Sequence, residues 1–370
     1  MNFLFRADAS IEIGSGHVMR CLTLANALRK QGHKSTFICR NFPGNLGALI
    51  AENGHALNLL SAINGSDEAN TGHLAHASWL GVSQDQDFEA CFAEIGGEKF
   101  DWIVVDHYGI DKIWQKRMRA VADRILVIDD LADRQHDCEV LLDQNFGRKL
   151  DDYEDLVPIN CAKLLGPAYA LLRDEFAEMR PAALKRRSES NHLQNILISM
   201  GGADKDNVTG RILDVLSSSN LKSSIKLTVV LGQSSPHINQ VKAQLKQFTH
   251  PSELLVGTNA MAKLMVEADI AFGAAGSSSW ERACLGLPTI LITIAENQVP
   301  AANALSDLGA AVWVGDHKNP NLMDGIQESM EQLKDTNVRK EILCRALKIC
   351  DGLGVERTCK LLLSNFSLVS

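Results

Sequence analysis

The segment FRADASIEIGSGHVMRCLTLANALRKQG, residues 5 to 32, constrains the fold more than any other part of the chain. Residues 3 to 5 read as a short buried strand. Gly14 and Gly16 bracket Ser15, and Leu22, Leu24, Ala25 and Leu28 then recur at helical spacing until Gly32. Strand, glycine turn, helix is how an α/β domain offers free backbone N–H groups and a helix dipole to an anion. His17 stands where the helix begins, so an imidazole lies beside a candidate phosphate cradle. A dinucleotide fold is the rival. It wants a third glycine where Met19 stands, and an acidic residue further on; the next strand, KSTFICR, instead ends in Arg40, which suits a phosphorylated cofactor. Taken alone, His17 fits a helix cap or a solvent-facing residue as well as a catalytic group.

The alternation of strand and helix continues through KSTFICR, ALNLL, DWIVVDHYG (101 to 109), RILVIDDLA (124 to 132) and CEVLLDQN (138 to 145). The later runs are apolar without alternation, as parallel strands covered on both faces require. Residues 61 to 99 read as an insertion plus one helix. The polar, basic stretch 178 to 194 is the best linker candidate. A second series then opens with NILISMGGAD and continues through IKLTVVLGQ, ELLVG, ADIAFGAAG and LPTILITIAENQ. The expected architecture is α/β with two doubly wound, Rossmann-like domains facing an interdomain cleft. Residues 1–180 form the first, 181–194 the linker and 195–370 the second. The last periodic segment, around Val338 to Leu363, is expected to be helical and to pack back on the first domain.

A chain of 370 residues suits two such domains, and 45% apolar with 22% charged residues fits a globular protein. With 37 basic against 45 acidic residues and no basic block beyond Lys185-Arg186-Arg187, a nucleic-acid partner is not expected. No stretch resembles a membrane span or a signal segment, so no membrane partner is expected either. The nine cysteines show no C-x-x-C spacing, which argues for a reduced, cytoplasmic protein without a zinc site or disulfide framework.

The second half holds a specific block, GAAGSSSWERACLGLPTILITIAENQ, residues 273 to 298. Gly276 with Ser277 and Ser278 leads from strand into helix and offers N–H and hydroxyl donors to a diphosphate. Glu281 falls in the first turns of that helix, where a carboxylate can take both hydroxyls of a ribose; a serine-capped helix with an exposed glutamate is the plainer alternative. Gly201-Gly202 reads as a turn that lets a ligand approach the backbone, or as a tight strand-to-helix turn.

FRADASIEIGSGHVMRCLTLA, DHYGID, LLGPAYALLRDEF, SMGGAD and the GSSSWERACLGLP…AENQ block together resemble the UDP-sugar hydrolases of pseudaminic acid biosynthesis. Those enzymes are relatives of the MurG-like glycosyltransferases, with the two-domain GT-B fold. The resemblance runs from about residue 1 through the second domain and is weakest over 61 to 99. It implies hydrolysis of UDP-2,4-diacetamido-2,4,6-trideoxy-β-L-altropyranose at the anomeric C–O bond, with inversion and with no metal or other cofactor. The product would feed flagellin or surface-glycan glycosylation. By the match of GSGH, with Gly14, Ser15 and Gly16 forming the turn, His17 becomes the general base that activates water. Tyr108 becomes a sugar-site residue flanked by Asp106 and His107. Glu281 becomes the ribose ligand, Ser277 and Ser278 line the diphosphate, and Asn297 and Gln298 close the pocket.

The chemistry agrees independently of the resemblance. UDP leaves readily at neutral pH, so one base suffices, and an imidazole with a reference pKa of roughly 6.5 suits that work. A glycosidase with a poor leaving group needs two carboxylates instead. Arg6 and Asp8 after the first strand either shape the turn at the substrate or pair with each other. Arg173 either contacts substrate or binds a helix end. Asp129 and Asp130 end a strand at the expected active edge without a definable role. Asp85/Asp87 and Asp204/Asp206 have D-x-D spacing but sit in a polar insertion and at a helix start. His33, His55, His73, His76, His136, His192, His237, His250 and His317 show no ligand spacing and read as surface or core filler. A GT-B glycosyltransferase, a UDP-sugar epimerase and a non-catalytic nucleotide-sugar binder remain the competing readings.

Overall fold

The computed structural model describes residues 1–62, 74–219 and 221–364, and in it the buried apolar runs become parallel strands. The chain divides into two compact units, Met1–Leu171 with Gly354–Ser370, and Leu172–Leu353. In the first, β1 (Asn2–Ala7), β2 (Lys34–Arg40), β3 (Ala56–Leu60), β4 (Phe100–Asp106), β5 (Ala122–Ile128), β6 (Val140–Asp143) and β7 (Ala162–Leu165) form one sheet in the order β3-β2-β1-β4-β5-β6-β7. Side chains alternate between its faces. Phe3 and Phe5 share one core with Trp102, Val104, Leu126 and Ile128, whereas Leu4, Ile103, Val105, Ile125 and Val127 enter another. α1 (Gly16–Lys30) and α2 (Gly47–Glu52) close the first face; α3 (Gln84–Ile95) and α4 (Lys112–Met118) close the second. With apolar layers on both sides, these strands need no polar alternation.

The second unit repeats the plan. β8 (Asn195–Ser199), β9 (Lys226–Leu231), β10 (Ser252–Val256), β11 (Ile270–Ala274), β12 (Thr289–Thr293) and β13 (Val312–Asp316) pair in parallel in the order β10-β9-β8-β11-β12-β13. Its helices are α5 (Asp174–Glu189), α6 (Val208–Ser218), α7 (Ile238–Leu245), α8 (Met261–Glu267), α9 (Ser278–Cys284), α10 (Val299–Asp307), α11 (Leu322–Lys334) and α12 (Thr336–Ala346). α6, α7 and α11 supply Ile212, Leu216, Val241, Ile326 and Met330 to the core of this sheet. In each unit the strand order reverses once, between β1 and β4 and between β8 and β11, and doubly wound sheets bind ligands beyond the carboxyl ends of strands at such a reversal.

The structure differs from the expected organisation in three places. Residues 181–194, read as a linker, lie largely within α5, which continues through Pro181. α5 is docked by cations rather than by an apolar stripe, since Arg180 donates to the carbonyls of Cys284, Leu347 and Cys350, and Arg187 to those of Met265 and Ala268. The single helix expected around Val338 to Leu363 is two, α12 and α13 (Gly354–Leu363), broken where Gly352 adopts φ +86° with a Cβ position blocked by Cys284 Sγ and Ala177. α13 belongs to the first unit, where Val355, Cys359 and Leu362 join the core that α1 covers. The edge strands β7 and β13 were not expected; both are short and only part-buried, so their apolar signal is weak. Among the described residues no helix is long and apolar enough to cross a membrane.

Candidate active site

The carboxyl ends of β1 and β4 bring together the residues that the glycine turn pointed to. After β1 the chain loops through Ser10, whose carbonyl accepts the Gly14 N–H at 2.9 Å and whose Oγ accepts the Ile13 N–H at 2.9 Å. The exposed Ser15 then leads into α1, whose first turn carries His17 and whose second carries Arg20 on the same face. Asp106, the last residue of β4, meets both. His17 Nδ1 lies 2.6 Å from Asp106 Oδ1, Arg20 Nε donates to Asp106 Oδ2 at 2.6 Å, and Arg20 Nη2 donates to Oδ1 at 2.7 Å.

Asp106 is completely buried. Burial by itself raises a carboxyl pKa, but Arg20 and then His17 outweigh it and hold Asp106 well below the usual carboxylate range. An ionised carboxylate only accepts, so Nδ1 of His17 must donate; the hydrogen-bond network thereby assigns the ring's other lone pair to Nε2. Nε2 has no hydrogen-bond partner among the described residues and is not sealed from solvent. The ring itself is only 8% exposed.

Arg20 extends the network. Its Nη1 donates to Asp130 Oδ2 at 2.6 Å, and the same oxygen accepts the Tyr108 hydroxyl at 2.8 Å. Burial first, then Asp130, pushes the Tyr108 phenol well up, so it stays protonated and donates. The Tyr108 ring meets His17 edge-on at 4.6 Å between centroids. Trp79 stacks on Tyr108 at 5.6 Å, and His76 packs on Trp79 at 4.6 Å and on Tyr108 at 5.4 Å. Gly109 fits because a Cβ there would come within 3.1 Å of the His107 ring and of the His76 carbonyl. Its N–H donates to His107 Nδ1 at 3.0 Å, leaving the His107 proton on Nε2, 3.3 Å from Asp8 Oδ2.

Arg6 and Asp8 lie beneath this layer, fully buried and paired with each other at 2.7 Å. Of the two readings open for them, the structure shows the pairing. Arg6 also grips Asp87 of α3 through Nε and Nη2, and Arg40 and the Trp114 indole N–H reach the same carboxylate. Asp87, read as part of a polar insertion, is therefore the buried counter-ion that ties α3 to the sheet. Asp204 accepts the Val208 and Thr209 N–H groups at the start of α6, so neither D-x-D pair presents two open carboxylates.

In the second unit the expected residues gather at the ends of β8 and β11, which are neighbouring strands. Gly201 and Gly202 are exposed after β8, with Gly201 at φ +98°. After β11 come Gly276, the exposed Ser277, and Ser278, whose Oγ accepts from Arg282 Nη1 at 2.9 Å. Gln298 stands beside Gly276, with its Oε1 accepting the Ile294 N–H at 3.1 Å; Asn297 is exposed. The Glu281 carboxylate has no hydrogen-bond partner among the described residues. Burial raises its pKa, opposed by Arg173 and Arg282. Arg173 itself pairs with Glu175 at 2.9 Å in the first turn of α5.

Sequence reasoning missed Arg20, Trp79 and His76. Arg20 carried a usable signal, three residues after His17 on one helix face. His76, read as filler, stands in the aromatic layer between Trp79, three residues on, and Tyr108, which comes from another segment. His73 lies outside the described residues.

Two parallel α/β sheets with these strand orders define a GT-B fold. MurG from Acinetobacter baumannii has it too, at 15% identity and a TM-score of 0.70, with 98% of this chain and 99% of that one covered. Residues 195–343 match the glycosyltransferase family 28 C-terminal domain. The chain is a relative of the UDP-2,4-diacetamido-2,4,6-trideoxy-beta-L-altropyranose hydrolase of Campylobacter jejuni, 29% identical over 84% of this chain and 98% of that protein. An uncharacterized protein of Methanocaldococcus jannaschii is 25% identical over 79% of this chain, which spans about half (55%) of that relative's length.

Proposed function

We propose that this protein is a UDP-sugar-processing enzyme that hydrolyses the anomeric C–O bond of a UDP-linked 2,4-diacetamido-2,4,6-trideoxyhexose, of the kind named for its Campylobacter relative. The observation that carries the reading is the His17 imidazole at the β1/β4 reversal, with Nδ1 committed to Asp106 and Nε2 unengaged among the described residues, whereas the neighbouring His107 is tied to Asp8 and Gly109. His17 Nε2 takes a proton from water, and the water oxygen forms a bond to C1. The C1–O bond to the diphosphate breaks with its electron pair, so UDP leaves as the anion and the free sugar is inverted at C1. The proton then passes from His17 to solvent. The leaving group needs no protonation, which is why one base serves where a glycosidase needs two carboxylates.

The second unit supplies the nucleotide end of this reading. Glu281 takes the ribose hydroxyls, Gly276, Ser277 and Ser278 the diphosphate, and Asn297 and Gln298 the adjoining polar groups, with Gly201 and Gly202 giving backbone access. Tyr108 faces the sugar beside His17. The free sugar would enter pseudaminic acid biosynthesis. An NMR time course of the purified protein with UDP-2,4-diacetamido-2,4,6-trideoxy-β-L-altropyranose tests this. Release of UDP with an inverted first-formed anomer is expected. Bound UDP without any release would leave a transferase or a binder.

A further inference from the structure

We propose that Arg20 is the positioning residue of this site: by holding both oxygens of Asp106 it shares that carboxylate's charge and keeps His17 returning as a neutral base. The observation is geometric. Asp106 is buried at the end of β4 and receives His17 Nδ1 at 2.6 Å, Arg20 Nε at 2.6 Å and Arg20 Nη2 at 2.7 Å. A carboxylate facing an imidazole alone would favour the imidazolium ion pair and retain the proton that the base must release. Arg20 competes for the same oxygens and adds a positive charge beside the ring, with Nη2 at 3.4 Å from His17 Nδ1. Its second anchor is Asp130, 2.6 Å from Nη1, which also fixes the Tyr108 hydroxyl. The groups facing His17 are thus Asp106 from β4, Arg20 from α1, Tyr108 beyond β4, and His76 with Trp79 from the 74–80 segment; Asp130 acts through Arg20.

The kinetic part of this inference rests on His17 being the base, whereas its spectroscopic part does not. Arg20→Gln, Arg20→Lys and Asp130→Asn are made in the full-length chain, and His17 is titrated by nitrogen-edited NMR. In Arg20→Gln the imidazolium is expected to persist to higher pH than in the wild type, and Arg20→Lys to restore part of the difference. With the UDP-sugar, kcat of Arg20→Gln should fall roughly 10–100-fold, short of the ~10²–10⁴-fold worth of a general base. KM should hardly change, and the acidic limb of the rate profile should move up. An unmoved His17 titration overturns the proposal even if kcat falls, because a merely structural role would lower activity without touching the ring's proton. If Arg20→Gln does not fold, Asp130→Asn decides: with the competing carboxylate gone, Arg20 bears wholly on Asp106 and the imidazolium should give way at lower pH than in the wild type, whereas no movement or movement to higher pH refutes the role. A wild type without turnover defeats the hydrolase reading, while the NMR titration still decides the role of Arg20.

Discussion

His17 and Asp106 come from elements 89 positions apart in sequence and meet at 2.6 Å, so the tautomer of the imidazole depends on a side chain that the glycine turn does not contain. Asp106→Asn keeps the shape but offers an amide that can donate to Nδ1 and so move the ring proton to Nε2, where no base is left. By analogy with triads whose orienting carboxylate is replaced, kcat should fall by roughly 10⁴-fold with the fold intact; activity within ten-fold of wild type would show that Asp106 does not set the tautomer. Glu281→Ala should weaken UDP binding by on the order of 1.5–3 kcal/mol through loss of a charged contact to the ribose. An unchanged titration would remove Glu281 from the nucleotide site. His17 and Glu281 were legible because each follows a glycine turn at a strand end. Arg6 and Asp8 were visible too, but their sequence position cannot distinguish a ligand contact from a buried pair. Asp87, whose contribution is a tertiary ion pair to Arg6, had no local signal at all.

Among the elements, the strands of both sheets were the most readable, because parallel strands covered on two faces are continuous apolar runs. α5 was the least readable. Its sequence is polar and basic, and what fixes it is Arg180 and Arg187 donating to carbonyls at the carboxyl ends of other helices and to that of Cys350 in the connection after α12. Arg180→Ala strands those carbonyls and should cost about 1.5–3 kcal/mol, read as a lower midpoint in chemical denaturation. A midpoint equal to the wild type's would mean that α5 is held by its apolar residues Phe176 and Ala183 instead. The break between α12 and α13 was hidden in the same way: apolar periodicity runs across both, and Gly352, in a left-handed conformation, lies in the connection between the end of α12 at Ala346 and the start of α13.

For the whole molecule, the repeated strand–glycine–helix opening made a two-unit GT-B architecture legible, and the expected return of the last helix to the first unit is seen in α13, held there by Val355, Cys359 and Leu362. The β1/β4 end of the first unit and the β8/β11 end of the second should also respond differently to acid, although Asp143 of β6, pushed up by burial and then by Asp130, opposes the trend within the first unit. In the first, burial raises the carboxyls of Asp8, Asp87, Asp106 and Asp129, but Arg6, Arg20, Arg40 and Arg134 outweigh it and hold all four below the usual range. A depressed native pKa stabilises the fold above the unfolded value of about 3.9, and that contribution is lost as the pH falls below it. In the second unit burial pushes Asp204 and Glu281 up, which gives the opposite slope. Hydrogen exchange on acidification to about pH 3, below that reference value, should therefore open β1 and β4 before β8 and β11; simultaneous or reversed opening would contradict this electrostatic account. The most direct test of the central claim, that water under His17 cleaves the C1–O bond, is hydrolysis of the UDP-sugar in heavy-oxygen water followed by mass spectrometry of both products. Water attack at C1 puts the label in the free sugar alone, and His17→Phe should release none although that variant still binds UDP. Label in the nucleotide product, or undiminished turnover by the variant, would contradict it.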